Sequence, residues 1–259
     1  MVFTDQMGRE VILPHTPQRI VSLVPSQTEL LFDLSLKTKV VGITKFCIHP
    51  KDDVKLIPKI GGTKKFDFEI IETLKPDLII GNKEENYQEG IESLAKKYPV
   101  WMSDIYTLED SLSMIRILGK VLDIQTKANE MAQNIAVMFQ ELPLVQNSPK
   151  VAYFIWRKPW MIATTNTFID HILQKIGFQN VFNDLERYPE ITLEQLQEKN
   201  PQYIFLSSEP YPFKEKRIKE LQSIFPNSKI VLVDGEMFSW YGSRLLKSVE
   251  YFKELVVTL

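Results

Sequence analysis

Cysteine is nearly absent from this chain: Cys47 is the only one among 259 residues. A lone cysteine forms no internal disulfide, so cysteine content says nothing of a redox compartment. Histidine is scarce too, with three residues, whereas a zinc or iron site needs three or four converging ligands. No apolar run approaches the ~20 residues that span a bilayer as a helix. Basic charge is not in excess, since 31 Lys and Arg face 33 Asp and Glu. That balance argues against a nucleic-acid partner, which would require a basic surface. The opening residues, MVFTDQMGREVILP, show no basic segment followed by an apolar one, so no export signal is visible in them. Two expectations stand for location: a cytoplasmic chain, or a periplasmic or cell-surface chain whose signal was removed ahead of residue 1.

What is present has the make-up of an ordinary globular protein, with 44% hydrophobic and 25% charged residues. The length allows a large core and two lobes. RIVSLV (19–24) is a short β-branched run of the kind buried in parallel sheets. Ser26 and Glu29 then have capping-box spacing, which predicts a helix start. KVVGI (39–43), DLIIG (77–81) and YPVWM (98–102) predict further strands, with a helix capped by Asp67 before the second of these. Two helical runs follow, the second from about Gln125 to Leu142 and roughly 27 Å long. Its methionines read as core packing. After PLVQNSP the pattern restarts: a hairpin over KVAYFIW and KPWMIA, a helix stopped by Gly177, strands over 202–207 and 229–235, and a closing helix. Strands alternating with helices predict parallel sheets covered by helices. The expected fold class is therefore α/β, with two parallel-sheet lobes of similar topology joined by one long helix and a ligand cleft between them. The expected boundaries are an α/β lobe over 1–106, a helical connector over 107–149 and a second α/β lobe over 150–259.

The halves repeat one another. DFEIIETLKPDLII (67–80) lies over TLEQLQEKNPQYIF (192–205) without a gap. Asp67 and Thr192 are cap candidates, Glu69 matches Glu194, and Pro76 matches Pro201, each proline preceding an apolar strand. Duplication explains this match better than chance.

Open parallel sheets bind ligands outside the carboxyl ends of their strands. The loops predicted there are rich in aromatics: Phe46, Trp156, Trp160, Tyr188, Tyr211, Phe213, Phe238, Trp240 and Tyr241. Any one of them can fold back onto the core. As a set they predict a cleft that grips a large, flat or partly apolar ligand. Lys64, Arg157 and Arg244 are candidates for charge-assisted bonds to its carboxylates or phosphates.

RIVSLVPSQTELLFDL, KVVGI, LKPDLII and the long central helix resemble the substrate-binding components of ABC importers for vitamin B12, haem and ferric siderophores, the helical-backbone metal receptors. The likeness runs from Arg19 to about Leu255. It implies a single stiff helix between lobes, small hinge motion, and a metal-chelate ligand (cobalamin, haem or a ferric siderophore) as cargo, with no resident cofactor. It also implies that Glu69 and Glu194 dock onto arginines of a membrane permease dimer, the binding component itself acting as a monomer. Each glutamate also sits in a first helical turn, where negative charge is favoured anyway. Against members that bind vitamin B12, Thr63 and Asn82 stand where cleft tryptophans are expected, while Phe46 and Tyr188 keep the aromatic character of theirs.

The stretch TKFCIHP sets Cys47 two residues from His49. If extended, both side chains share a face. Four readings are open for the pair: pocket wall, axial ligand to a metal inside a bound macrocycle, nucleophile and base, or burial without a role. The expected ligand contacts are Phe46, Cys47, His49, Trp156, Arg157, Trp160, Tyr188, Tyr211, Trp240, Tyr241 and Arg244, with no catalytic residue and no resident metal site. The alternatives to an importer component are an enzyme using Cys47 and His49, which lacks an evident third group to orient the histidine, and a cytoplasmic corrinoid or haem carrier.

Overall fold

The computed structural model describes residues 1–259. The chain forms two compact units. The first holds Met1–Ile105, Glu109–Ala136 and Tyr241–Arg244; the second holds Tyr106–Leu108, Val137–Trp240 and Leu245–Leu259. The helical stretch expected as a connector over 107–149 is thus divided between the units. The chain also changes unit at Tyr241 and again at Leu245.

In the first unit, β1 (Val2–Thr4) and β2 (Glu10–Ile12) make a small hairpin. There follow β3 (Ile20–Ser22), α1 (Pro25–Asp33), β4 (Val40–Ile43), a ribbon of β5 (Gly61–Gly62) and β6 (Lys65–Phe66), α2 (Phe68–Leu74), β7 (Leu78–Asn82), α3 (Gln88–Ala95) and β8 (Val100–Ser103). The main sheet has the order β4-β3-β7-β8 and is parallel throughout. Every residue of β3, β7 and β8 is buried. Helices cover both faces of such a sheet, so its strands carry apolar residues without alternation.

The helices α4 (Leu108–Val121) and α5 (Gln125–Gln140) come next. The 16 residues of α5 run unbroken, and the helix is shared by the two units. It ends two residues short of Leu142, at Gln140.

The second unit contains β9 (Lys150–Trp156), β10 (Trp160–Ala163), α6 (Phe168–Lys175), β11 (Gln179–Asn180), β12 (Glu190–Ile191), α7 (Leu193–Lys199), β13 (Tyr203–Ser207), α8 (Glu215–Gln222), β14 (Lys229–Val233), α9 (Gly235–Ser239) and α10 (Leu245–Thr258). Its sheet has the order β12-β10-β9-β13-β14, with β11 also paired to β9. The strands β9, β13 and β14 are parallel, as β3, β7 and β8 are. Where the first unit adds parallel β4, the second adds the antiparallel hairpin strand β10 and, beyond it, β12. Phe154, Ile204, Leu206 and Leu221 belong to one of its core clusters and are fully buried.

The repeat holds residue for residue. Helices α2 and α7 have seven residues each. The side chain of Asp67 accepts from Ile70 N–H at one N-cap, and that of Thr192 from Gln195 N–H at the other. Both helices end on a left-handed residue, Lys75 (φ 46°) and Asn200 (φ 48°). Asparagine tolerates that region; lysine does so at a cost of about 1 kcal/mol. Lys75→Gly should therefore raise stability by roughly 0.5–1 kcal/mol in urea unfolding. An unchanged or lowered midpoint would show that the turn carries no strain at Lys75.

The capping box expected at Ser26 and Glu29 does not form. Helix α1 starts at Pro25, with Val24 as N-cap and no side-chain cap bond. Proline at the first helical position supplies a preset φ. Glu29 is then free of capping duty and meets Arg244, its carboxylate accepting from Nε at 2.8 Å.

Candidate ligand-binding surfaces

At the carboxyl edge of the first sheet, side chains from α1, from the ends of β7 and β8 and from the loop after β7 converge. Gln27 Nε2 donates to Ser103 Oγ (2.6 Å) and to the Gly81 carbonyl (3.1 Å). Asn82 Nδ2 donates to Ser103 Oγ at 3.0 Å, and Asn86 Oδ1 accepts from Asn82 N–H at 2.9 Å. The side chains of Gln27, Asn82, Asn86 and Ser103 are all buried. Asn82, standing where a cleft tryptophan was expected, is a structural residue: its Oδ1 accepts from the N–H groups of Glu84 and Glu85 and shapes the following loop. Tyr241 is buried on this edge, with its hydroxyl near Ser26 and Ser103. Burial holds its phenol well above the usual tyrosine range. Arg244 is 4% exposed and engaged with Glu29.

The Thr44–Pro50 stretch turns at Lys45 and Phe46, and Cys47 and His49 differ in burial. Cys47 points inward, 2% exposed, with Sγ at 3.1 Å from Thr28 Oγ1 and 3.2 Å from Thr44 Oγ1. Burial pushes its thiol up, against the lowering by both hydroxyls and by Lys59. A buried thiol with little thiolate is a poor nucleophile. His49 is half-buried, while Phe46 and Ile48 are the exposed members, at 50% and 49%. Cys47 is a buried, free thiol within its own unit. No cluster of three or more His, Cys, Asp or Glu side chains has a metal-holding arrangement.

In the second unit the loop aromatics divide into core and surface. Phe213, Phe238 and Trp240 are buried. Trp160 is half-buried and stacks on Phe213, with ring centroids 6.2 Å apart. Trp156 is 39% exposed and meets the half-buried Tyr211 edge-on at 5.7 Å. Tyr188 is half-buried beneath Arg187, whose guanidinium lies 5.5 Å from that ring and 5.3 Å from Tyr106. Arg157 lies 5.4 Å over Trp160 and donates to Glu220 Oε1 at 2.7 Å. The sequence reading passed over Arg187, Arg217 and Glu220. A signal was present in the i, i+3 spacing of Arg217 and Glu220, directly after an aromatic loop.

Trp240 donates its Nε1–H to Glu209 Oε1 at 2.8 Å, which makes it a core residue and not an open contact. Burial raises the Glu209 carboxyl, with Glu236 and Asp234 adding repulsion and Ser239 and Trp240 opposing. A raised acid favours folding below the ordinary glutamate range, and that contribution is lost as pH rises through the raised value. Glu209→Gln keeps an acceptor for Trp240 but no titration. Its stability relative to the parent should rise with pH across that window, read as urea midpoints on either side. A difference that does not change with pH would refute the assignment.

Glu69 and Glu194 are both exposed in the first turns of α2 and α7. The Glu194 carboxyl is held below the usual range by its own backbone N–H and by Thr192. Beside Glu69 lies an open depression of about 570 Å³ that includes Lys45, Gly62, Phe66 and Phe68. Phe68 on its wall is 42% exposed. The corresponding Leu193 packs on the core of the second unit.

Two α/β units built on one repeated plan, with aromatic loops at the carboxyl edges of their sheets, define a two-lobed binding protein. The chain belongs to the periplasmic binding protein family, whose model matches residues 20–225. It is 26% identical to the vitamin B12-binding protein of Pectobacterium carotovorum subsp. carotovorum (strain PC1), over 90% of this chain and 86% of that one. It is also 26% identical to an uncharacterized ABC transporter substrate-binding lipoprotein of Bacillus subtilis (strain 168), over 97% of this chain and 84% of that one. Among solved structures it resembles a periplasmic haem-binding protein from Roseiflexus sp. RS-1, with a TM-score of 0.78 and 20% identity over 93% of this chain and 97% of that one.

Proposed function

We propose that this protein is the ligand-capturing component of an ABC importer and that its cargo is a metal chelate: cobalamin, haem or a ferric siderophore. The observation that carries this reading is the residue-for-residue duplication, which puts an exposed glutamate at the same turn of each unit, on a fold whose carboxyl-edge loops carry open aromatics. Family membership and the names of the relatives support it. On this reading Phe46, His49, Trp156, Arg157, Tyr188 and Tyr211 meet the ligand. Trp160, Trp240, Tyr241 and Arg244 hold the loops from behind, and Cys47 backs the wall. Glu69 and Glu194 meet the permease, and the chain works as a monomer outside the cytoplasmic membrane. It carries out no chemistry on its cargo.

The test is to add cyanocobalamin, haemin and ferric siderophores separately to the purified protein, recording the chelate's absorbance and the melting temperature. A ligand at a hundred times its Kd stabilises the folded state by about 2.7 kcal/mol. One class should therefore raise the melting temperature by several degrees and perturb its own spectrum. If none does either, the cargo assignment fails.

A further inference from the structure

We infer that the segment between Asp33 and Asp67 is a membrane-contact surface, which holds the first unit against a bilayer of anionic lipid. The segment contains eight lysines and no arginine against two acids, Asp52 and Asp53, a net charge of +6. The whole chain carries −2, so the rest of it carries −8. Positive charge is gathered here and not spread over the chain, and such a patch attracts polyanions and membrane surfaces. The fold keeps it together. The segment flanks β4, the edge strand of its sheet. After β4 the chain makes an excursion whose ends meet: Ile60 N–H donates to the Ile43 carbonyl and Lys45 N–H to the Gly61 carbonyl, both at 2.9 Å. Cys47 and Val54 are the buried anchors of the excursion. Asp53 accepts from Lys37, which brings the excursion back beside the residues that precede β4. Lys37, Lys45, Lys51, Lys55, Lys64 and Lys65 are all exposed. Lys55 meets Asp52 at 3.0 Å, but an exposed pair of this kind is weak and leaves the net charge in place.

Apolar side chains stand out from the same excursion. Leu56, in the 3₁₀ turn Val54–Leu56, is 83% exposed, and Ile48 is exposed as well. One exposed apolar residue is ordinary. Apolar residues set among lysines on one excursion have a use at a bilayer: they enter the boundary between headgroups and acyl chains while the ammonium groups reach the lipid phosphates. The absence of arginine separates lipid from protein as the partner. Protein–protein interfaces are enriched in arginine and aromatic residues and depleted in lysine. A fluid anionic surface asks for charge without fixed geometry, and flexible lysines supply it. Neither the cargo nor the permease enters this inference; the function proposed above adds only that the chain works beside a membrane.

The test is sedimentation of the purified protein with two kinds of vesicle, pure phosphatidylcholine and equal parts phosphatidylcholine and phosphatidylglycerol. At low ionic strength the protein should bind the anionic vesicles and not the neutral ones. Binding should be lost at about 1 M salt, where screening acts within about 3 Å. Lys51→Gln combined with Lys55→Gln should weaken binding to the anionic vesicles roughly twentyfold, about fivefold for each lysine. Leu56→Ser should weaken it about fivefold through the lost apolar contact. All three side chains are exposed, so the melting temperatures of the variants should match the parent's. Equal binding to both kinds of vesicle, or a double variant that binds as the parent does, overturns the proposal. Failure of the parent to bind anionic vesicles overturns it too. In that case, retention of the parent but not of the double variant on immobilised polyglutamate assigns the surface to an acidic protein instead.

Discussion

Glu29→Leu is expected to cost about 3–5 kcal/mol of stability, the range for removing one partner of a buried ion pair. The Arg244 Nε to Glu29 Oε2 distance is 2.8 Å, and the side chains are 5% and 3% exposed. Taking a guanidinium out of water is tolerable only while a carboxylate answers it. Leucine removes the carboxylate that answers Nε of this buried guanidinium. Arg244→Met should cost a similar amount, since it takes the guanidinium away from a buried carboxylate. The double variant Glu29→Leu with Arg244→Met should recover most of the loss, because burying two apolar side chains of similar volume is often neutral or better than burying an ion pair. Urea unfolding of the four proteins closes the cycle. With total stabilities of roughly 5–15 kcal/mol, each single change removes a large share. Single variants that lose less than about 1 kcal/mol would mean that water reaches the pair. Additive losses in the double variant would mean that packing, and not charge, holds Arg244.

This pair also marks where the sequence stops being readable. Its members lie 215 residues apart, and no local pattern joins them. Ser26 with Glu29 has the spacing of a capping box, but spacing records what a side chain is able to do and not which partner outbids the others. The same limit applied to Cys47 and His49. Alternation speaks only of a shared face, and it did not tell that Cys47 lies buried against Thr28 and Thr44 while His49 stays half-buried. Among the loop aromatics the sequence told which residues leave the strands. It did not tell that Trp240 finds an acceptor in Glu209 or that Phe213 and Phe238 close over the core. By contrast, the alternation of strands and helices, the hairpin at 150–163 and the long helix were legible, since each rests on local periodicity or on a proline or glycine stop. Most legible was the repeat, because cap, helix length, left-handed stop and buried proline are all local features, and all recur.

That repeat sets the second large effect. If the protein delivers cargo to a permease, Glu69→Lys combined with Glu194→Lys should abolish uptake. Both carboxylates are exposed in first helical turns, at equivalent places in two units of one plan. A pair of equivalent acidic points suits a partner that offers basic groups in duplicate, which is what the proposed docking requires of the permease. Reversing both replaces attraction by like charge across the interface, which suppresses docking and slows encounter. The fold should survive: each lysine loses a favourable interaction with the helix dipole at a surface position, and such effects are small and screened by salt. Ligand affinity in solution should also survive, because neither residue lies on the carboxyl-edge loops. The single variants carry further information. Next to Glu69 the depression with Phe68 on its wall offers apolar surface to the partner, whereas the half-buried Leu193 beside Glu194 is packed against the core of its own unit. Glu194→Lys alone should therefore impair uptake more than Glu69→Lys alone, since its surface has less contact to fall back on. Uptake assays in cells lacking the native binding component, set beside ligand titrations of the purified variants, decide the matter. Uptake that survives the double reversal removes the docking role, and a parallel loss of ligand affinity would move the two glutamates from the permease surface to the ligand site.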